Sequence, residues 1–158
     1  MDKKFDLTRV RGEIIEKAIN IEVGLNAIIS QRYVGKLYHA FVLDVLYDEY
    51  FNIGFKIRII EKVADFLKHD KQGRKPIESL RRLCVIRNYF AHTGSELIEI
   101  STNRAFTPDP RKVTQSVDYE SLYKEFLKLE PEVLNYLYGK MFKELKINLY
   151  DEKGVEKA

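Results

Sequence analysis

Cysteine is nearly absent: the 158-residue chain has one, Cys84. A lone cysteine excludes an internal disulfide and any cysteine-rich zinc site, and it suits a reducing compartment. Long apolar runs are missing too. None approaches the roughly eighteen residues that a membrane span needs, and the opening stretch "MDKKFDLTRV" lacks the apolar core of a signal peptide. A cytoplasmic protein with no membrane partner is expected. A large charge of one sign is also lacking, since 27 basic residues against 24 acidic leave a net +3. That balance does not announce a nucleic-acid binder by electrostatics alone. There is no internal repeat, no low-complexity tract and no linker that would divide the chain. His39 and His69 have no neighbours at ligand spacing, so neither a metal nor a cofactor is expected.

What is present is helical periodicity. With 45% hydrophobic and 32% charged residues, a chain of this length can bury roughly two thirds of its unfolded surface in one core. A single domain over 1–150 is expected, with 151–158, "DEKGVEKA", as a flexible tail. Apolar residues at Leu7, Val10, Ile14, Ala18, Ile21, Leu25 and Ile28 trace one face of a long first helix, which Asp6 can cap. A second stretch carries Leu37, Phe41, Val42, Val45 and Leu46. It meets plausible breakers at Asn52 and Gly54, and the pattern resumes at Phe55, Ile59, Ile60, Val63, Phe66 and Leu67. The charged run "KHDKQGRK", 68–75, reads as a solvated loop leading to Pro76 in the first turn of the next helix. That helix should reach His92 or Thr93 and stop at Gly94.

From Ser95 to Val117 the pattern changes. "ELIEIS" and "VTQSV" alternate apolar with polar residues, and "TPDPR" carries two prolines, which together read as a small hairpin or ordered loop. Asp118 can cap a last helix, Pro131 should kink or restart it, and Val133, Leu134, Leu137, Tyr138, Met141 and Leu145 supply its buried face. The fold class is all-α: a helical bundle with a short β-hairpin or loop insertion before the last helix. Ten Tyr and nine Phe lie mostly at helical spacing, which suits core better than base-stacking platforms. No compact helix-turn-helix with a basic recognition helix is evident, so DNA binding ranks last.

One position breaks the periodicity. In "LRRLCVIRNYFAHTG", residues 80–94, Leu80, Leu83, Cys84, Phe90 and Ala91 all fall within about 60° of Arg87 around a helix. Arg87 therefore projects from the apolar stripe. Removing an unpaired guanidinium from water costs several kcal/mol. Either a carboxylate such as Asp44 or Asp48 meets it, or the side chain bends outward, or an anion or partner supplies the charge. His92 falls near Asn88 and Arg81 on a polar strip, and the helix dipole alone would favour an imidazolium in the last turn. Tyr89 points away from the stripe and is placed to contact a base or a partner.

The stretch Arg87, Asn88, Tyr89, Phe90, Ala91, His92 resembles the signature of HEPN domains, an Arg and a His separated by four to six residues with a polar residue favoured after the Arg. "FNIGFKIRIIEKV" upstream is similar to the segment that precedes the motif in some members. The specific match covers residues 80–94, and the helical frame from 7 to 147 is of suitable length. The resemblance implies a HEPN-like up-and-down bundle and a metal-independent endoribonuclease, often a toxin or defence protein, acting on RNA as a homodimer with both motifs at the interface. It implies that His92 is the acid or base, that Arg87 binds the scissile phosphate, and that Asn88 orients His92 or the substrate. An antitoxin such as a minimal nucleotidyltransferase, which in some members modifies a tyrosine near the motif, is an implied partner. The same motif occurs in non-catalytic helical regulators resembling the mannitol operon repressor, and that alternative stays open.

Overall fold

The computed structural model describes residues 5–35, 39–69, 71–92, 98–99, 104–106 and 116–148. These residues are predominantly helical. Helix α1 (Leu7–Val34) begins where the Asp6 side chain accepts from the Arg9 N–H at 3.1 Å, and it ends at Gly35 in the left-handed conformation, φ 81°. The expected cap and apolar face of this helix are both present. Val10, Ile14, Ala18, Ile21, Leu25 and Ile28 are buried. A short α2 (His39–Phe41) runs into a π-helical turn, Val42–Leu46. Then α3 (Ile53–Phe66) starts where Asn52 accepts from the Phe55 N–H at 3.1 Å. Asn52 thus breaks the chain as expected, while Gly54 lies inside the helix.

The buried face of α3 is rotated from the one expected. Phe55 and Phe66 face outward, at 43% and 59% exposure, and Lys56 is inside with Ile57, Ile60, Val63 and Ala64. The apolar stripe expected from sequence left out Lys56, a residue type almost never buried without a partner. That partner is Glu22 of α1, whose carboxylate accepts from the Lys56 ammonium. With the charge neutralised, Lys56 can pack at 1% exposure.

Helix α4 (Lys71–His92) begins within the stretch 68–75 expected to be a solvated loop, and Pro76 lies inside it rather than in its first turn. The supposed loop charges are tied to neighbouring helices. Arg74 reaches Asp65 at 2.7 Å, Lys75 meets Glu132 at 3.4 Å, and Arg81 bonds Glu61 at 2.6 Å. Gly94 and the tail 151–158 lie outside the described residues. Three short strands follow, β1 (Ile98–Glu99), β2 (Arg104–Phe106) and β3 (Ser116–Asp118), in an antiparallel order β1-β2-β3. Arg104 pairs with Glu99 on one side and Asp118 on the other. The two prolines of "TPDPR" lie outside the described residues.

Asp118 ends β3 and caps α5 (Tyr119–Leu134), its side chain accepting from the Ser121 N–H at 3.1 Å. Pro131 does not restart this helix, which continues through it. It sits on the solvent face, where water can satisfy the carbonyl that its missing N–H releases. A π-helical segment, Asn135–Met141, begins four residues later and leads to α6 (Phe142–Leu145). Val133, Leu137 and Met141 are buried, and Leu134, Tyr138 and Leu145 pack against the core.

Helix α4 packs against α1, α3 and α5, so its side chains meet three helices. Near its end Phe90 meets Tyr119 edge-on, with ring centroids 5.0 Å apart and both residues fully buried. An aromatic pair of this kind contributes about 0.5–1.5 kcal/mol beyond its area, and it fixes the last turns of α4 against the start of α5.

Two glycines of α1 give a direct test of packing. At Gly24 an added Cβ would lie 3.0 Å from the Tyr138 ring, which is held there by a 2.6 Å bond from its hydroxyl to the Asn20 carbonyl. At Gly12 an added Cβ would meet nothing within 4 Å. Urea denaturation should show Gly12→Ala stabilising the fold by about 0.5–1 kcal/mol, with Gly24→Ala falling short of that gain by about 1–3 kcal/mol through overpacking. Equal gains would contradict the close approach of α1 to Tyr138.

Candidate functional site

Helix α4 carries four arginines in sequence, at 74, 81, 82 and 87. Arg82 grips Glu125 of α5 through two nitrogens at 2.7 Å each, and the guanidinium holds that carboxyl below its ordinary value. Arg74 and Arg81 bind carboxylates of α3, as described above. Among the described residues Arg87 meets no carboxylate. Its Nη1 donates to Oδ1 of neighbouring Asn88 at 3.1 Å.

Of the alternatives open for Arg87, pairing with Asp44 or Asp48 does not form. Asp44 is exposed, and Asp48 folds back to accept from the Tyr50 N–H at 2.9 Å. The fully buried sector of α4 holds Leu80, Leu83, Ile86 and Phe90, each at 2% exposure or less. Arg87 and Cys84 lie at its edge, half-buried. Arg87 is therefore turned into a cleft and keeps part of its hydration, which is why no internal carboxylate is needed.

That cleft has a volume of about 410 Å³ and is walled by α1, the start of α3 and α4. From α1 come Ile15, Ala18, Ile19 and Glu22, and from α4 come Cys84, Arg87 and Asn88. The size suits a small ligand, since such pockets span roughly 300–1,000 Å³. Glu22 and Arg87 both act on the Cys84 thiol. Burial raises its pKa, Arg87 pulls it down, and Glu22 pushes it up. The two opposite charges thus border one space, where the Glu22 carboxylate accepts from Lys56 and Arg87 bonds Asn88.

The end of α4 has a second cationic contact. Arg11 of α1 donates from Nη2 to the Ala91 carbonyl at 2.9 Å, one residue before His92. This bond satisfies a carbonyl in the last helical turn and joins it to the helix that carries Glu22. His92 closes α4 in backbone terms, and its imidazole lies outside what the structure describes. Asn88 faces the cleft and is bonded to Arg87. Tyr89, expected to point outward, packs half-buried against the core.

Motif spacing brings Arg87 and Asn88 into the cleft but does not reveal its other wall. Ile15, Glu22 and the Asn52 turn are contributed by other elements, with Lys56 behind the wall holding Glu22. The available signal was a break in periodicity: Glu22 and Lys56 each sit beside apolar neighbours on an otherwise buried surface. A second titratable cluster joins His69 to the Tyr136 hydroxyl at 2.9 Å through Nδ1 and to Glu144 at 2.7 Å through Nε2. Burial and the charges of Glu144 and Asp65 push the Tyr136 phenol up to about 12. Both imidazole nitrogens are occupied and His69 lines neither cavity at Arg87, so this cluster fastens α6 to the α3–α4 connection.

No protein-family model matches the chain, and neither a curated protein nor a solved structure matches it. Among the described residues no helix is long and apolar enough to cross a membrane.

Cys84 reports on this cleft. Its alkylation by iodoacetamide should show a pH profile with its midpoint above that of the urea-unfolded chain, because burial dominates the thiol's shift. Arg87→Ala should move the midpoint further up, since it removes the charge that favours the thiolate. A profile indifferent to Arg87→Ala would place the guanidinium elsewhere.

Proposed function

We propose that the chain is a HEPN-type, metal-independent endoribonuclease, of toxin or defence kind, whose active site is composite and forms when two copies bring their Arg87 and His92 residues together. The observation that carries this reading is the position of Arg87: half-buried, turned into a cleft, and without a carboxylate among the described residues. The resemblance of residues 80–94 to the HEPN signature supplies the chemistry. A guanidinium kept from internal pairing suits forked binding of a phosphodiester.

The reaction is attack of an RNA 2′-hydroxyl on its own adjacent phosphorus. A base accepts the 2′-hydroxyl proton as the new O–P bond forms, and an acid protonates the departing 5′-oxygen as the old bond breaks. The products are a 2′,3′-cyclic phosphate and a 5′-hydroxyl. One chain offers a single His92, so two imidazoles for the two proton transfers require a second copy. Arg87 stabilises the extra negative charge of the phosphorane, and Asn88, bonded to Arg87, fixes the guanidinium plane.

Exposed apolar side chains near the cleft suit a contact between copies. Ile19 is 54% exposed at its rim, with Val23 one turn away at 40%. Apolar groups grouped in this way favour an interface.

Purified protein incubated with varied RNAs in EDTA should yield cyclic-phosphate ends, and Arg87→Ala and His92→Ala should each lower the rate at least about 100-fold. Equal proportions of the two variants mixed with each other would recover little activity, because each composite site needs intact copies of both residues. Intact RNA, with both variants behaving like the parent, would reject the ribonuclease reading in favour of a non-catalytic, regulator-like protein.

A further inference from the structure

We propose that the outward face of α3, from Phe55 to Phe66, is a track for single-stranded RNA that leads to the mouth of the Arg87 cleft. This rests on the ribonuclease reading and names the surface that holds its substrate. Four side chains make the track: Phe55, Arg58, Lys62 and Phe66. At about 100° per residue they fall within an arc of about 80°, and all four are exposed. They span about 16 Å along the helix, room for roughly four stacked nucleotides at about 3.4 Å each. The near end adjoins the cleft, since Ile53 and Gly54, just before Phe55, line it.

Spacing alone would bury both aromatic residues, yet both face outward and both are held in place. Phe51 meets Phe55 edge-on with ring centroids 5.1 Å apart. The Arg32 guanidinium of α1 lies 3.9 Å from the centroid of the Phe66 ring. Bases of any kind stack on aromatic faces and on guanidinium planes, and a group already fixed loses little freedom on binding.

Charge selects a polyanion as the occupant. Arg58 and Lys62 are like charges at i and i+4, an arrangement that destabilises a helix face by itself. The carboxylates of α3 that could offset them, Glu61 and Asp65, are bound by Arg81 and Arg74 of α4, and neither cation has a carboxylate partner among the described residues. Arg32 adds a third positive charge at the far end. An apolar partner would leave these charges buried and unpaired. A phosphodiester chain neutralises them while its bases cover the rings. The exposed Asp44, Asp48 and Glu49 of the turn before α3 repel the strand and confine it to the helix.

The probe is a short fluorescein-labelled 2′-O-methyl oligonucleotide of mixed sequence without self-complementarity. It has no free 2′-hydroxyl to attack, so fluorescence anisotropy on the full chain reads binding without cleavage. Lys62→Glu should weaken binding at least about tenfold, and Arg58→Ala should lower the slope of log affinity against log salt by about 0.7, the share of one phosphate contact. Phe66→Leu, at a position 59% exposed, should weaken binding about fivefold or more with the unfolding midpoint little changed. Lys128→Glu makes the same charge change at an exposed position of α5 and should stay within about twofold of the parent. Equal losses for Lys62→Glu and Lys128→Glu, or no loss for Phe66→Leu, overturn the track. So does an affinity indifferent to Lys62→Glu while sedimentation shows that variant splitting an assembly of the parent chain, which would make this face a contact between copies. RNA cut in EDTA through Arg87 and His92 without these dependences keeps the nuclease and rejects the track. Track-dependent binding with no cleavage of RNA keeps the track and rejects the nuclease.

Discussion

The Glu22–Lys56 ion pair decides what the rest of this site can be. Lys56 lies on the face of α3 that packs against α1, buried to 1% exposure, and an ammonium in that position requires a carboxylate. Glu22 supplies it. The same carboxylate borders the cleft that Arg87 enters, and among the described residues its ion-pair partner is Lys56 rather than Arg87. Replacing Lys56 by an apolar residue of similar size would release Glu22 to neutralise Arg87. The α1–α3 contact and the electrostatics of the cleft are thus set by one interaction.

Around this pair the helices divide the work. Helix α1 runs along one side of the cleft, so Ile15, Ile19 and Glu22 share its face at spacings of three and four residues. Helix α4 carries Arg87 at the edge of its buried sector, and Phe90 locks the last turns against Tyr119. The other arginines of α4 hold its outer faces to α3 and α5 through Asp65, Glu61 and Glu125. Charges that look like a nucleic-acid footprint in sequence are used to fasten helices. Surface pairs of this kind are each worth little, about 0–1 kcal/mol, but each gives Arg74, Arg81 or Arg82 a carboxylate that an external anion would have to displace, which Arg87 does not have among the described residues.

Much of the framework was legible in sequence because it follows from short-range rules. Periodicity marked the buried face of α1, and the Asp6, Asn52 and Asp118 turns could be placed from the preference of Asx side chains for orphan N–H groups. The boundaries that went wrong depended on other helices. The start of α4 at Lys71 was hidden because a glycine and a proline among dense charge read as a loop, although Arg74 and Lys75 find carboxylates on α3 and α5. The rotation of α3 was hidden because Lys56 reads as solvent-facing until Glu22 is beside it. Arg87 was correctly marked as anomalous by its place in the apolar stripe. Its surroundings were not legible, since they depend on how α1 and α3 meet α4.

The central claim is that Arg87, alone among the arginines of α4, is left available to an external anion. Side-chain nitrogen–proton NMR of the arginines, followed while a single-stranded oligodeoxynucleotide that resists 2′-hydroxyl chemistry is added, tests it most directly. The account requires the Arg87 guanidinium signals to shift and slow in exchange, with those of Arg74, Arg81 and Arg82 unchanged. Binding that moves the Arg74, Arg81 or Arg82 signals and leaves Arg87 untouched would contradict it.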